Sequence, residues 1–118
     1  MAKIFIIRVL DNNHSIDEII NDCMRRQNRK DEESKFLKTE LSVLRKYLHG
    51  KVDDIEMLKF RSYDGTLDSD LILSDNEKGN VVIVEHKNES LIPLLIESKK
   101  IRSFITMNKG GKKVFVLF

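Results

Sequence analysis

Four leucines constrain this chain most. Leu37, Leu41, Leu44 and Leu48 recur three or four residues apart, so a helix over residues 31–50 gathers them into one stripe. Phe36, Val43 and Tyr47 widen that stripe. Asp31, Glu32 and Glu33 suit the positive end of a helix, and Gly50 offers a stop. After Gly50 the period changes. Residues 55–63, 67–74 and 81–87 read as strands joined by the Asp64-Gly65 turn and a polar turn at 76–80. The Ile- and Val-rich segment 3–10 reads as another strand. Ser15 with Glu18 forms a capping-box pattern ahead of Ile16, Ile19, Ile20, Cys23 and Met24 on one helical face, a helix expected to fade in the polar run 25–30. Ser90 and Pro93 open a third expected helix, with Leu91, Leu94, Leu95, Ile101 and Ile105 along it. Gly110-Gly111 ends it, and residues 113–118 give a last strand. The expected order is β-α-α-β-β-β-α-β. That is a mixed α/β or α+β domain around one central mixed sheet.

The chain has 118 residues, 41% of them hydrophobic, enough for one domain with a modest core. Charged residues make up 34%, yet the formal net charge is only +2. The sum hides an asymmetry: from Lys99 onward there are six Lys or Arg and no Asp or Glu. Such a segment suits phosphate binding. Cys23 is the only cysteine, which excludes an internal disulfide, fits a reducing cytoplasmic setting, and reads as a small buried apolar residue. The apolar run 4–7 is too short for a signal peptide or a membrane span, so no membrane partner is expected. His14 and His49 fall at a turn and a helix end, where solvated or capping roles are expected.

Chemistry-bearing residues concentrate between positions 68 and 87. On a strand, Asp68 and Asp70 share a face, and so do Glu85 and Lys87. If 67–74 and 81–87 pair as a hairpin, carboxylates and an amine meet at one sheet edge. That arrangement suits a hard divalent cation and an activated water.

Asp70, a gap of fifteen positions to Glu85, and then Glu85-His86-Lys87 resemble the PD-(D/E)xK nuclease superfamily, with small VRR-NUC-type modules the nearest in pattern. The resemblance covers residues 31–118, a restriction-endonuclease-like core, and leaves 1–30 as a strand-helix addition within the single domain 1–118. It implies metal-dependent hydrolysis of phosphodiester bonds, in DNA before RNA. Asp70, Glu85 and the backbone carbonyl of His86 would hold Mg²⁺ or Mn²⁺, with Asp68 and Glu40 as further metal candidates. Lys87 would act on the attacking water, and Lys99, Lys100 and Arg102 would hold backbone phosphates. The chain departs from the family pattern in having no Pro before Asp70 and a His between Glu85 and Lys87.

Two other readings stand beside it. The run of elements also resembles a RelE-like ribonuclease toxin, which cleaves RNA without metal; Lys59, Arg61, Tyr63 and Lys87 would then be the working residues. Alternatively the chain is a small non-catalytic adaptor or inhibitor that binds protein or nucleic acid. A homodimer and a protein partner stay open under each reading.

Overall fold

The computed structural model describes residues 1–117. Three helices come first: α1 (Ala2–Leu10), α2 (Ile16–Cys23) and α3 (Asp31–Lys51). The strand expected at 3–10 is therefore a helix. Its β-branched residues favour strands locally, but Phe5, Ile6 and Val9 also fall on one helical face, and all three are fully buried against the other helices. Packing overrides the weak local preference. The other two helices follow their sequence signals. Ser15 Oγ accepts the Glu18 N–H at 3.1 Å, and Glu33 reaches back to the Lys30 N–H at 3.0 Å. The leucine stripe of α3 is buried, as its spacing requires, whereas Phe36, Val43 and Tyr47 remain exposed on its flank. Gly50 does not stop α3, which runs one residue further.

A single 3-10 turn (Ile55–Met57) leads into β1 (Leu58–Ser62), a short α4 (Asp75–Lys78), and then β2 (Val81–His86), β3 (Glu89–Glu97), β4 (Lys100–Ser103), β5 (Thr106–Lys109) and β6 (Lys112–Phe115). The fold is mixed α+β, with an antiparallel sheet β1-β2-β3-β4 and a separate two-stranded sheet β5-β6. One central sheet in the order β-α-α-β-β-β-α-β is thus replaced by three helices followed by strands in two sheets.

Two corrections account for the change. Residues 67–74 form no strand, and β1 pairs directly with β2, Phe60 opposite Val84. The intervening chain curls instead: the Asp64 carboxylate accepts the Thr66 and Leu67 N–H groups, an Asx turn that competes with extension. Only Leu71 makes a bridge, parallel, to Lys113. The expected third helix is also absent, and its residues build β3 and β4. The apolar run 91–96 lies between two two-residue turns, Lys87-Asn88 and Ser98-Lys99, whose four residues all have positive φ. That is the backbone a tight hairpin needs. Pro93 sits beyond the end of β4, where β3 is paired on one side only. The last strand is β6, shorter than the expected 113–118, and Phe118 lies outside the described residues.

The four-stranded sheet is covered on both faces. Val84, Leu94 and Ile101 join the helices in the larger core. Val81, Ile83 and Leu95 point the other way, onto Leu71 and Phe115. A strand buried on both faces loses the apolar-polar alternation that identifies it in a sequence. No helix among the described residues is long and apolar enough to cross a membrane.

Candidate functional site

The turn after β1 determines where the acidic residues go. The Asp64 carbonyl accepts the Asp68 N–H at 2.7 Å, which folds Asp68 back onto β1. There the Arg61 guanidinium grips its carboxylate with two bonds, Nη1 to Oδ2 at 2.8 Å and Nη2 to Oδ1 at 2.7 Å. The Asp64 N–H adds a third at 2.8 Å. Arg61 also donates from Nε to Glu85 Oε2 at 3.0 Å, reaching diagonally across the β1–β2 pair. Asp68 is only 6% exposed. Arg61, helped by the Asp64 N–H, holds the Asp68 carboxyl below the usual carboxylate range against the opposing effect of burial. The two carboxylates in turn push the Arg61 guanidinium further up.

The remaining site candidates disperse. Asp70 is exposed, with Lys113 Nζ at 3.8 Å. Asp68, Asp70, Ser90 and Lys113 border a cleft of about 150 Å³ floored by Ile83 and Leu71. Lys87 leaves the strand at φ 51 and pairs with Asp53 at 2.8 Å, so it does not share the face of Glu85. His86 is buried; its Nε2 lies 3.1 Å from the Asp54 carbonyl and 3.4 Å from Asp53. Glu40 rides on α3, which packs on the face of the sheet opposite to Ile83 and Arg61. It borders a separate groove with Tyr47 and Phe104.

Of the expected metal set, the fold brings Asp68 and Glu85 together, and a guanidinium bridges them. Among the described residues no three His, Cys, Asp or Glu side chains group as a metal ion requires. The residues as arranged do not fit a divalent cation. The toxin candidates do not converge either: Arg61 is engaged by two carboxylates, Lys87 by Asp53, and Tyr63 packs on the second core while Lys59 is exposed. Cys23 is fully buried, and burial pushes its thiol up despite Arg8 Nη1 at 3.8 Å.

The basic residues do converge. A parallel bridge joins Met24 to Ile101, and the Arg25 N–H donates to the Ile101 carbonyl at 2.8 Å. The run Arg25-Arg26-Gln27-Asn28-Arg29-Lys30 therefore starts alongside the outer edge of β4. Lys99, Lys100 and Arg102 arrive there from the β3–β4 turn and β4, a turn and strand rather than the expected helix. Glu97 is shared between Arg25 at 3.2 Å and Arg102 at 3.5 Å. Lys100 Nζ donates to the Asp22 carbonyl at 2.6 Å. Arg29 feels Arg102 closely enough that burial and this like charge lower its pKa from the ordinary arginine range. Arg26 and Lys99 are exposed. Asn21, Arg25, Arg26, Asn28 and Arg29 line a hollow of about 510 Å³.

Lys99, Lys100 and Arg102 are the phosphate contacts expected from the sequence; Arg25, Arg26 and Arg29 are not among them. Their signal, three arginines within five positions, was plain; their neighbour across the chain was not.

The chain matches no family model, no curated protein and no solved structure. The resemblance to PD-(D/E)xK nucleases rests on Asp70, Glu85 and Lys87 alone.

Proposed function

We propose that this chain is a small non-catalytic nucleic-acid-binding protein that contacts backbone phosphates through the basic edge of β4. One observation carries the reading: the Met24–Ile101 bridge joins two basic stretches, far apart in sequence, into one surface. Arg25, Arg26, Arg29, Lys99, Lys100 and Arg102 gather there, with Glu97 between Arg25 and Arg102 and with Asp22 and Glu33 at the margin. Packing like charges together costs free energy that an anionic polymer offsets, and phosphate is the anion that gains most from forked guanidinium donors. Phosphates are common to DNA and RNA, so the test uses both. Affinity for duplex and single-stranded forms of each is measured over a range of salt concentrations. Binding should weaken steeply as salt rises, and Arg26→Ala with Lys99→Ala should make the slope of log affinity against log salt shallower by about one per lost contact. A slope unchanged by the pair removes this surface from the interface.

The metal-dependent nuclease keeps one observation in its favour, the shared cleft of Asp68, Asp70 and Lys113 beside Glu85. It requires Arg61 to give up its two carboxylates. Cleavage of DNA in Mg²⁺ or Mn²⁺ that stops in chelator and in Asp70→Ala would replace the binding-only reading.

A further inference from the structure

Beside the basic edge of β4 lies a hollow that positive charge alone does not explain. Arg29 donates from Nη2 to the Arg25 carbonyl at 3.3 Å, which closes residues 25–29 into a ring. The ring faces Ile20 and Asn21 of α2 across about 510 Å³, within the range of sites for small organic ligands. Three carboxamides stand among the arginines there, Asn21, Gln27 and Asn28. Among the described residues no hydrogen bond occupies any of the three. A phosphodiester only accepts hydrogen bonds, so it has no use for the acceptor half of a carboxamide. A ligand that offers donors and acceptors together has. Ile20, half-buried, gives the hollow an apolar wall.

We propose that this hollow seats one unpaired nucleobase of a DNA or RNA strand. A base carries donors and acceptors side by side on its Watson–Crick edge, and it has an apolar face. The carboxamides of Asn21, Gln27 and Asn28 match that edge. Ile20 and the guanidinium plane of the exposed Arg26 match the face. A second hollow of about 330 Å³ shares Ile20, Asn21 and Arg29 with the first and adds Ser34, which leaves room for the attached sugar. In a duplex the edge is paired and the base is stacked, so an unpaired strand gains a contact that a duplex lacks. The inference rests on the nucleic-acid reading and names the form of nucleic acid that the surface takes.

The test compares three DNA probes of equal length, bound to the full chain over a range of salt concentrations. One is a mixed-sequence single strand, one is its duplex, and one is a strand of tetrahydrofuran spacers, which keeps every phosphate and has no base. The single strand should bind roughly tenfold tighter than the abasic strand, a ratio that persists as salt rises, because the base contact releases no counterion. Asn21→Ala with Asn28→Ala removes no charge. It should bring the single strand down toward the abasic level while the salt slope and the affinity for duplex stay as in the parent. The comparison of parent on single and abasic strands needs no variant, so it decides even if the double substitution unfolds the chain. An abasic strand bound as tightly as the single strand overturns the proposal. So does a folded variant that keeps the ratio, or one that loses duplex and single strand equally. Failure of the phosphate surface reads differently, as a salt slope unmoved by Arg26→Ala with Lys99→Ala. A parent that binds none of the three probes overturns both.

Discussion

Arg61 is the residue on which the expected site turns. A guanidinium between Asp68 and Glu85 converts two metal-ligand candidates into a partly buried ion-pair network that fastens the loop after β1. Removing one partner leaves the others desolvated without compensation. Asp68→Ala should therefore destabilise the fold by roughly 2–3 kcal/mol in denaturant titration at neutral pH, a figure reduced from fully buried pairs because Arg61 keeps some solvent. The Asp68 carboxyl titrates lower folded than unfolded. Its stabilising contribution is complete above the unfolded value of about 3.9 and is lost as pH falls through the lower folded one. The gap between parent and Asp68→Ala should accordingly shrink as the titration is repeated at falling acid pH; a gap constant with pH contradicts the assignment. Lys99 makes a second case. It holds φ 63 in a turn where glycine pays no steric penalty, whereas the β5–β6 turn uses Gly110-Gly111. Lys99→Gly should raise stability by about 0.5 kcal/mol and weaken nucleic-acid binding. A residue kept only for the turn would give tighter folding with unchanged binding.

At the scale of elements, α1 exists as a helix because α3 closes it. Arg45 donates from Nε to the Val9 carbonyl at 2.7 Å and from Nη2 to the carbonyls of Arg8, Asp11 and His14 at 3.3, 3.2 and 2.6 Å. His49 Nε2 meets the Leu10 carbonyl at 2.8 Å, at the end of α1 rather than of its own helix. These side chains satisfy carbonyls that a helix end leaves open. Arg45→Ala should cost about 2 kcal/mol, and Arg45→Lys should recover only part, since an ammonium lacks the planar fork. Hydrogen exchange should report the loss first in α1 and in the turn to α2; uniform loss across the sheet would argue against a local clasp. The same contrast explains what was legible. Ser15 with Glu18 and the four leucines of α3 act within a few residues, and each could be read from the sequence; Gly110-Gly111, expected to end a helix, is the turn between β5 and β6. Segment 3–10 could not, because its clasp lies on another helix. Residues 90–105 misled because a strand buried on both faces imitates a helical stripe, and Lys87-Asn88 and Ser98-Lys99 carry no glycine to mark their turns.

At the scale of the molecule, the sheet lies between a helical layer and the β5–β6 hairpin, and its outer strand β4 is bordered by the start of the basic run 25–30. Lys99, Lys100 and Arg102 were visible as a basic segment, but the surface they form required Arg25, Arg26 and Arg29 from the other side of α3. Asp70 and Glu85 were visible as a spacing, but Arg61 and Lys113 receive them. Charges that a sequence pattern assigns to chemistry are thus used in pairing, and a run that the pattern ignored contributes the exposed positive surface.

The central claim is that this surface binds nucleic acid through its phosphates. The most direct test is the salt dependence of affinity for a labelled duplex, parent against Arg26→Ala with Lys99→Ala, with a chelator present throughout. Binding should need no metal, weaken steeply with salt in the parent, and weaken less steeply by about one unit of slope per lost contact in the variant. A parent that fails to bind at low salt, or a variant with the parental slope, contradicts it.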